Sequence, residues 1–254
     1  AGADYLHFDV MDGSFVPPAQ FIPLCEESGL IVPIGAWVLG ESARTHARLA
    51  AAGHADVAIA VNVSAVQFEA GMPAETIRRL FERYKLPARA LHLELTESVL
   101  LRNPEDARSL MGALRDEGLC LSIDDFGTGF SSMAYLRELP LDHLKIDRGF
   151  VRDVTRDHRS AAICRAMIAL GHGLGLSIIA EGVEEAGQLD WLRAHGCDQA
   201  QGYHLGRPMA IDALLASMTL QAGQADWSRD AGRACARSGP RSVARGDDRC
   251  ADPL

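Results

Sequence analysis

Leu119-Cys120-Leu121-Ser122-Ile123-Asp124-Asp125-Phe126-Gly127-Thr128-Gly129-Phe130-Ser131-Ser132 is the stretch whose reading decides the fold. Residues 119–123 form an apolar run with the character of a buried strand. The run ends in two adjacent carboxylates, and a glycine-punctuated loop follows. Like charges this close repel unless a cation sits beside them. Hard divalent cations such as Mg²⁺ prefer carboxylate oxygens. A metal site at a strand end is therefore one reading, and a solvated acidic turn is the other.

The same design recurs along the chain. Short apolar runs at 5–10, 57–63, 91–95, 119–124, 143–146, 176–180 and 198–201 read as strands. Longer amphipathic patterns at 35–51, 73–84, 104–117, 159–174 and 185–194 read as helices. Repeated strand-then-helix order predicts an α/β fold with a parallel sheet and helices outside it. Seven strands suggest a (β/α)8 TIM-like barrel short of one strand, with an open doubly wound sheet as the alternative. Polar residues favour the barrel. Asn62, Glu94, Asp124, Asp125, Lys145, Glu181 and Gln201 each end or nearly end a predicted strand, and barrel enzymes build their sites at that face.

A net charge of −9 argues against a nucleic-acid polymer as partner. The six cysteines include no C-x-x-C pair, which leaves a zinc site unsupported and fits a reduced, cytoplasmic compartment. No stretch has the length of a membrane span. The chain opens without an initiating Met and reads as a fragment of something longer. Beyond about residue 221 large apolar residues are few. Arg229, Arg233, Arg237, Arg241, Arg245 and Arg249 recur every fourth residue, but Gly239-Pro240 interrupts them. Residues 221–254 read better as a disordered tail than as a basic helix.

Glu94-Leu95-Thr96-Glu97 places two carboxylates where a strand gives way to a helix. Alternation along the strand lets Glu94 face the barrel mouth. Glu97 falls where an acid also complements a helix dipole. Asn62 offers an amide oxygen to a cation, or simply forms a turn beside the capping Ser64. Lys145, between Leu144 and Ile146, brings a compact positive charge suited to phosphate. Glu181 closes another apolar strand and could hold metal or take a proton from water. Phosphoester hydrolysis with two cations about 4 Å apart uses such a set, with bridging carboxylates, a lysine and a glutamate base.

These residues, in this order, resemble the EAL-domain family of cyclic-di-GMP phosphodiesterases. The likeness covers about residues 17–209. It is carried by Phe21-Ile22-Pro23-Leu24-Cys25-Glu26-Glu27-Ser28-Gly29-Leu30, Asn62-Val63-Ser64, Glu94-Leu95-Thr96-Glu97, Asp124-Asp125-Phe126-Gly127-Thr128-Gly129, Lys145-Ile146-Asp147-Arg148, Ala180-Glu181-Gly182-Val183-Glu184 and Gln201-Gly202-Tyr203 with Arg207-Pro208. The resemblance implies a barrel of the EAL type with one antiparallel strand, two Mg²⁺ or Mn²⁺ ions, and hydrolysis of cyclic di-GMP to linear pGpG. It implies that Asn62, Glu94, Asp124 and Asp125 are metal ligands. It makes Lys145 the partner of the attacking water and Glu181 a base or ligand. Glu97 would anchor the loop at 125–132, and Glu184 and Gln201 would support the site. A homodimer is compatible with this reading, as is a missing N-terminal sensor or GGDEF domain.

The likeness fails at the start. A gapless match puts Ala3 where the family's metal-binding Glu belongs and His7 where a phosphate-binding Arg belongs, and the barrel's first strand is absent. Residues 1–17 instead resemble a barrel strand of ribulose-phosphate 3-epimerase, in which the positions of His7 and Asp9 bind metal. The expected organisation is a foreign strand at 1–17, an EAL-type barrel at 17–220, and the tail. His7 or Asp9 could substitute for the missing ligand. The alternative function is a catalytically degenerate domain that binds cyclic di-GMP or regulates; epimerisation is a third reading.

Overall fold

The computed structural model describes residues 5–7, 18–70, 74–97, 104–127 and 136–221. Seven strands build one sheet: β1 (Tyr5–His7), β2 (Ala58–Val63), β3 (Leu91–Thr96), β4 (Cys120–Phe126), β5 (His143–Ile146), β6 (Ser177–Ala180) and β7 (Gln199–Ala200). They follow one another in sequence order, and every pairing is parallel. A doubly wound sheet reverses its strand order at a switch point, so this order selects the TIM-like barrel. Among the described residues β7 does not pair with β1, and the barrel is open there. The antiparallel strand implied by the resemblance is not among the described residues.

Helices cover the outside: α1 (Pro18–Ser28), α2 (Ile31–Ala51), α3 (Ala65–Glu69), α4 (Ala74–Tyr84), α5 (Pro104–Asp116), α6 (Arg148–Arg152), α7 (His158–Gly173), α8 (Ala186–Ala194) and α9 (Ile211–Gln221). α1, with Pro23 inside it, is absent from the predicted helices, as are α3, α6 and α9. No single helix is long and apolar enough to cross a membrane among the described residues.

Strand alternation sorts the side chains. Leu93, Leu95, Leu121, Ile123, Leu144, Ile146 and Ile178 are fully buried in one core with the helices' apolar faces. Each such side chain contributes about 1.5–3 kcal/mol on burial. The intervening positions face the barrel interior, which is unusually polar. The rings of His92 and His143 meet there with centroids 4.7 Å apart. At the opposite end from the strand C-termini, the buried carboxylate of Asp142 accepts from the Leu121 amide at 3.1 Å and pairs with Arg89 and Arg115.

Burial lowers the pKa of His143 to about 4, so the ring stays neutral in the folded protein. The unfolded chain takes up this proton near pH 6.5. Stability from this group is therefore complete above pH 6.5 and is lost as pH falls toward 4, by roughly 3 kcal/mol. Urea midpoints should fall more steeply between pH 7 and pH 4.5 in the wild type than in His143→Gln. Parallel pH profiles would remove His143 as the cause; other titrating groups cancel in this comparison.

Candidate active site

The strand ends bring one ammonium and several carboxylates together. Lys145 Nζ, fully buried, lies 2.7 Å from Glu94 Oε2, 3.1 Å from Asp124 Oδ2 and 2.5 Å from Glu181 Oε1. β3, β4, β5 and the end of β6 each supply one of these groups. Burial alone would lower the lysine pKa, but the charges of Glu94, Glu181 and Asp124 overrule it and raise it. Lys145 is therefore cationic. Three carboxylates around one ammonium still leave an excess of negative charge. Burial, reinforced by Asp124 and Glu94 against the pull of Lys145, pushes Glu181 up to about 7.

Asp124 and Asp125 are neighbours on a strand and should point to opposite faces. A bulge prevents this. The β4–β5 register shifts between Ile123 and Phe126, and Asp125 adopts φ +54°. The left-handed residue turns its side chain back toward the mouth. Its amide N–H donates to Asp124 Oδ1 at 2.9 Å, which braces the turn. Oxygens of Asp124, Asp125 and Glu181 then fall within 4.8 Å of one another, a group that can hold a metal ion. All-carboxylate oxygen donors suit Mg²⁺ or Mn²⁺ rather than a soft metal.

The other predicted site residues are placed unequally. Asn62 is exposed at the end of β2, in register with Glu94. It lies within the strand and does not form a turn, whereas Ser64 does cap α3, accepting from the Gln67 amide at 3.3 Å while Gln67 Oε1 accepts from the Ser64 amide. Glu97 is buried, and its Oε2 accepts from the Gly127 amide at 3.3 Å, tying the end of β3 to the end of β4. Residues 128–132 of the loop assigned to it lie outside the described residues. Gln201 grips the neighbouring loop through its backbone, donating to Ala180 O at 2.8 Å and accepting from the Val183 amide at 3.0 Å.

Glu184 does not join the three-acid metal group. It is exposed, and its amide donates to Gln188 Oε1 at the start of α8. Between Glu181 and Glu184, Gly182 adopts φ +67°. His7 pairs with Ala60, which pairs with His92. That row lies one inward-facing position below the row of Asn62 and Glu94. Asp9 and Ala3 lie outside the described residues.

One residue escaped the sequence reading. Asp147 follows Lys145 by two and so shares its face of the strand. Its carboxyl hydrogen-bonds Asp125, while its Oδ1 accepts from the Gly149 amide at 2.8 Å to cap α6. Partial burial and the charges of Asp124 and Asp147 raise the pKa of Asp125. Alternation from Lys145 was the available signal.

Gly182 fixes the segment behind Glu181. It has φ +67°, and a Cβ there would sit 2.5 Å from Arg148 Cβ and 3.3 Å from its Cα. Gly182→Ala should cost about 1–3 kcal/mol from strain and the clash. Thermal unfolding checks this, and an unchanged Tm would show that the loop relaxes freely.

Comparison with known proteins agrees with this geometry. The EAL domain family profile matches residues 5–208. The bifunctional diguanylate cyclase/cyclic di-GMP phosphodiesterase MucR of Pseudomonas aeruginosa is 46% identical over 203 residues, 80% of this chain and 30% of that protein. The cyclic di-GMP phosphodiesterase NbdA of the same organism is 42% identical over 197 residues, 78% of this chain and 25% of that protein. The solved structure of the PaMucR phosphodiesterase in its c-di-GMP complex superposes with a TM-score of 0.76 at 44% identity, covering 80% of this chain and 82% of the other. The chain thus spans about a third or less of the length of these curated relatives.

Proposed function

This chain belongs to the EAL-domain family, and from that premise we propose that it binds cyclic di-GMP and hydrolyses it, slowly, to linear pGpG with a divalent metal. The observation that carries the proposal is the meeting of Asp124, Asp125 and Glu181 at the mouth, braced by buried Lys145. These acids would hold Mg²⁺ or Mn²⁺, which polarises the phosphoryl oxygens and lowers the pKa of water.

The residues divide the remaining work. The product pGpG keeps its phosphate on the 5′ side, so water adds to phosphorus and the P–O3′ bond breaks. Glu181 offers its second oxygen to take the proton that the attacking water gives up and to pass it to the leaving O3′. Lys145 keeps Glu94, Asp124 and Glu181 aimed at one point. Glu97 and Gln201 fix the ends of neighbouring strands. Turnover is slow in this proposal because Ala3 stands where the family's glutamate belongs.

The test is incubation of the purified chain with Mn²⁺ and cyclic di-GMP, with product separated by chromatography. The proposal expects pGpG. Binding without product would favour the second reading, a regulatory module that keeps the nucleotide but has lost turnover; Ala3 is the observation behind it. Neither binding nor product would reject both.

A further inference from the structure

We propose that Arg148 binds the second, unbroken phosphate of the cyclic dinucleotide, in place of the phosphate-binding arginine at whose position His7 stands. The inference rests on the proposed binding of cyclic di-GMP. Such a ligand carries two phosphates, each an anion. The one that is cleaved lies at the acid cluster with the metal. The other meets a mouth rich in carboxylates and needs a cation of its own.

Three other cationic candidates are committed or misplaced. Lys145 is fully buried and holds three carboxylates. His7 belongs to the row below the mouth. The Arg207 guanidinium lies over the Tyr203 ring, 4.8 Å from its centroid. Arg148 is placed differently. It follows the end of β5 by two residues, directly after Asp147, whose carboxyl hydrogen-bonds Asp125. It also packs on Gly182, the residue after Glu181: a Cβ on that glycine would come within 2.5 Å of Arg148 Cβ. β5 and β6 are neighbours in the sheet, so Arg148 stands between the strand ends that carry Lys145 and Glu181. Only a residue without a Cβ allows this approach. Arg148 is exposed and has no ion pair among the described residues. Arg152, one turn on in α6, is held by Asp153 at 2.9 Å. A guanidinium offers paired N–H donors that match phosphate oxygens.

The experiment measures cyclic di-GMP binding to the full chain by calorimetry in EDTA, and KM and kcat in Mn²⁺, for wild type, Arg148→Gln and Arg152→Gln. Both positions are exposed, so both variants should fold; circular dichroism checks this. Arg148→Gln should weaken binding and raise KM by about tenfold, with kcat within about twofold of wild type. Arg152→Gln should change neither by more than about twofold. Linear GpG has one phosphate, and Arg148→Gln should weaken its binding by less than about twofold. The Kd decides if the chain binds without turnover, and KM decides if binding needs Mn²⁺. Unchanged Kd and KM in Arg148→Gln would overturn the inference, as would an equal loss in Arg152→Gln, an equal loss for GpG, or a fall in kcat at constant KM. Each of these leaves the proposed function standing. A wild type that neither binds nor hydrolyses cyclic di-GMP would overturn both.

Discussion

Lys145→Met should destabilise the fold by about 3–5 kcal/mol at pH 8, because it strands buried carboxylates without a counter-charge. Methionine fills a similar volume and is apolar, so lost packing contributes little. The cost is electrostatic. Glu94 is almost fully buried, and Asp124 and Glu181 share the same ammonium. Without it, nothing offsets the burial that already raises Glu181, whose pKa should climb further above its unfolded value. Stability from such a group is complete below the unfolded pKa, about 4, and is lost as pH rises through the folded one. The gap between variant and wild type should therefore widen from pH 5.5 to pH 8. Urea denaturation at the two pH values measures it. A gap under about 1 kcal/mol at pH 8, or one independent of pH, would mean that water reaches the acids and screens them.

Much of this architecture is legible in the sequence because it is local. Each strand is a short apolar run, each ends in a polar residue, and each helix shows its own periodicity. Lys145 is legible for the same reason, as a cation between Leu144 and Ile146, but the sequence reads it as suited to phosphate, whereas the structure sets it among three carboxylates. What escaped is what depends on geometry between residues. Alternation sends Asp124 and Asp125 to opposite faces, and only the left-handed turn at Asp125 unites them. Glu184, a site-support residue by resemblance, is exposed at the start of α8 and outside the three-acid group.

His7 shows a subtler limit. By sequence parity alone it is equivalent to Ala3 and Asp9. Parity is unchanged by a slip of two residues, whereas the row moves by a whole layer. Pairing between β1 and β2 decides the row, and it puts His7 opposite Ala60 rather than Asn62. Whether a strand can donate a ligand to the mouth is a question of register that composition does not answer.

Asp124→Asn should abolish turnover while leaving the fold almost intact. Asp124 belongs to both halves of the site: it lies 3.1 Å from Lys145 Nζ, and it is one of the three acids that can hold metal. It also accepts the Asp125 amide that braces the bulge. An asparagine keeps an oxygen for that amide but loses the charge. The metal then has one carboxylate fewer, and the phosphoryl group loses stabilisation worth several kcal/mol. About 4 kcal/mol corresponds to roughly a 10³-fold fall in kcat. Stability should move by less than about 1 kcal/mol, because the cluster has an excess of negative charge and Glu94 and Glu181 still satisfy Lys145. The Asp124 charge helps to raise the Glu181 pKa, so its removal should bring Glu181 back toward the ordinary carboxylate range. Single-turnover kinetics with Mn²⁺ and cyclic di-GMP, paired with urea denaturation, separates these effects. A variant that keeps more than about a tenth of wild-type turnover would show that the reaction does not depend on charge at Asp124, and the acid cluster would lose its central place in the mechanism.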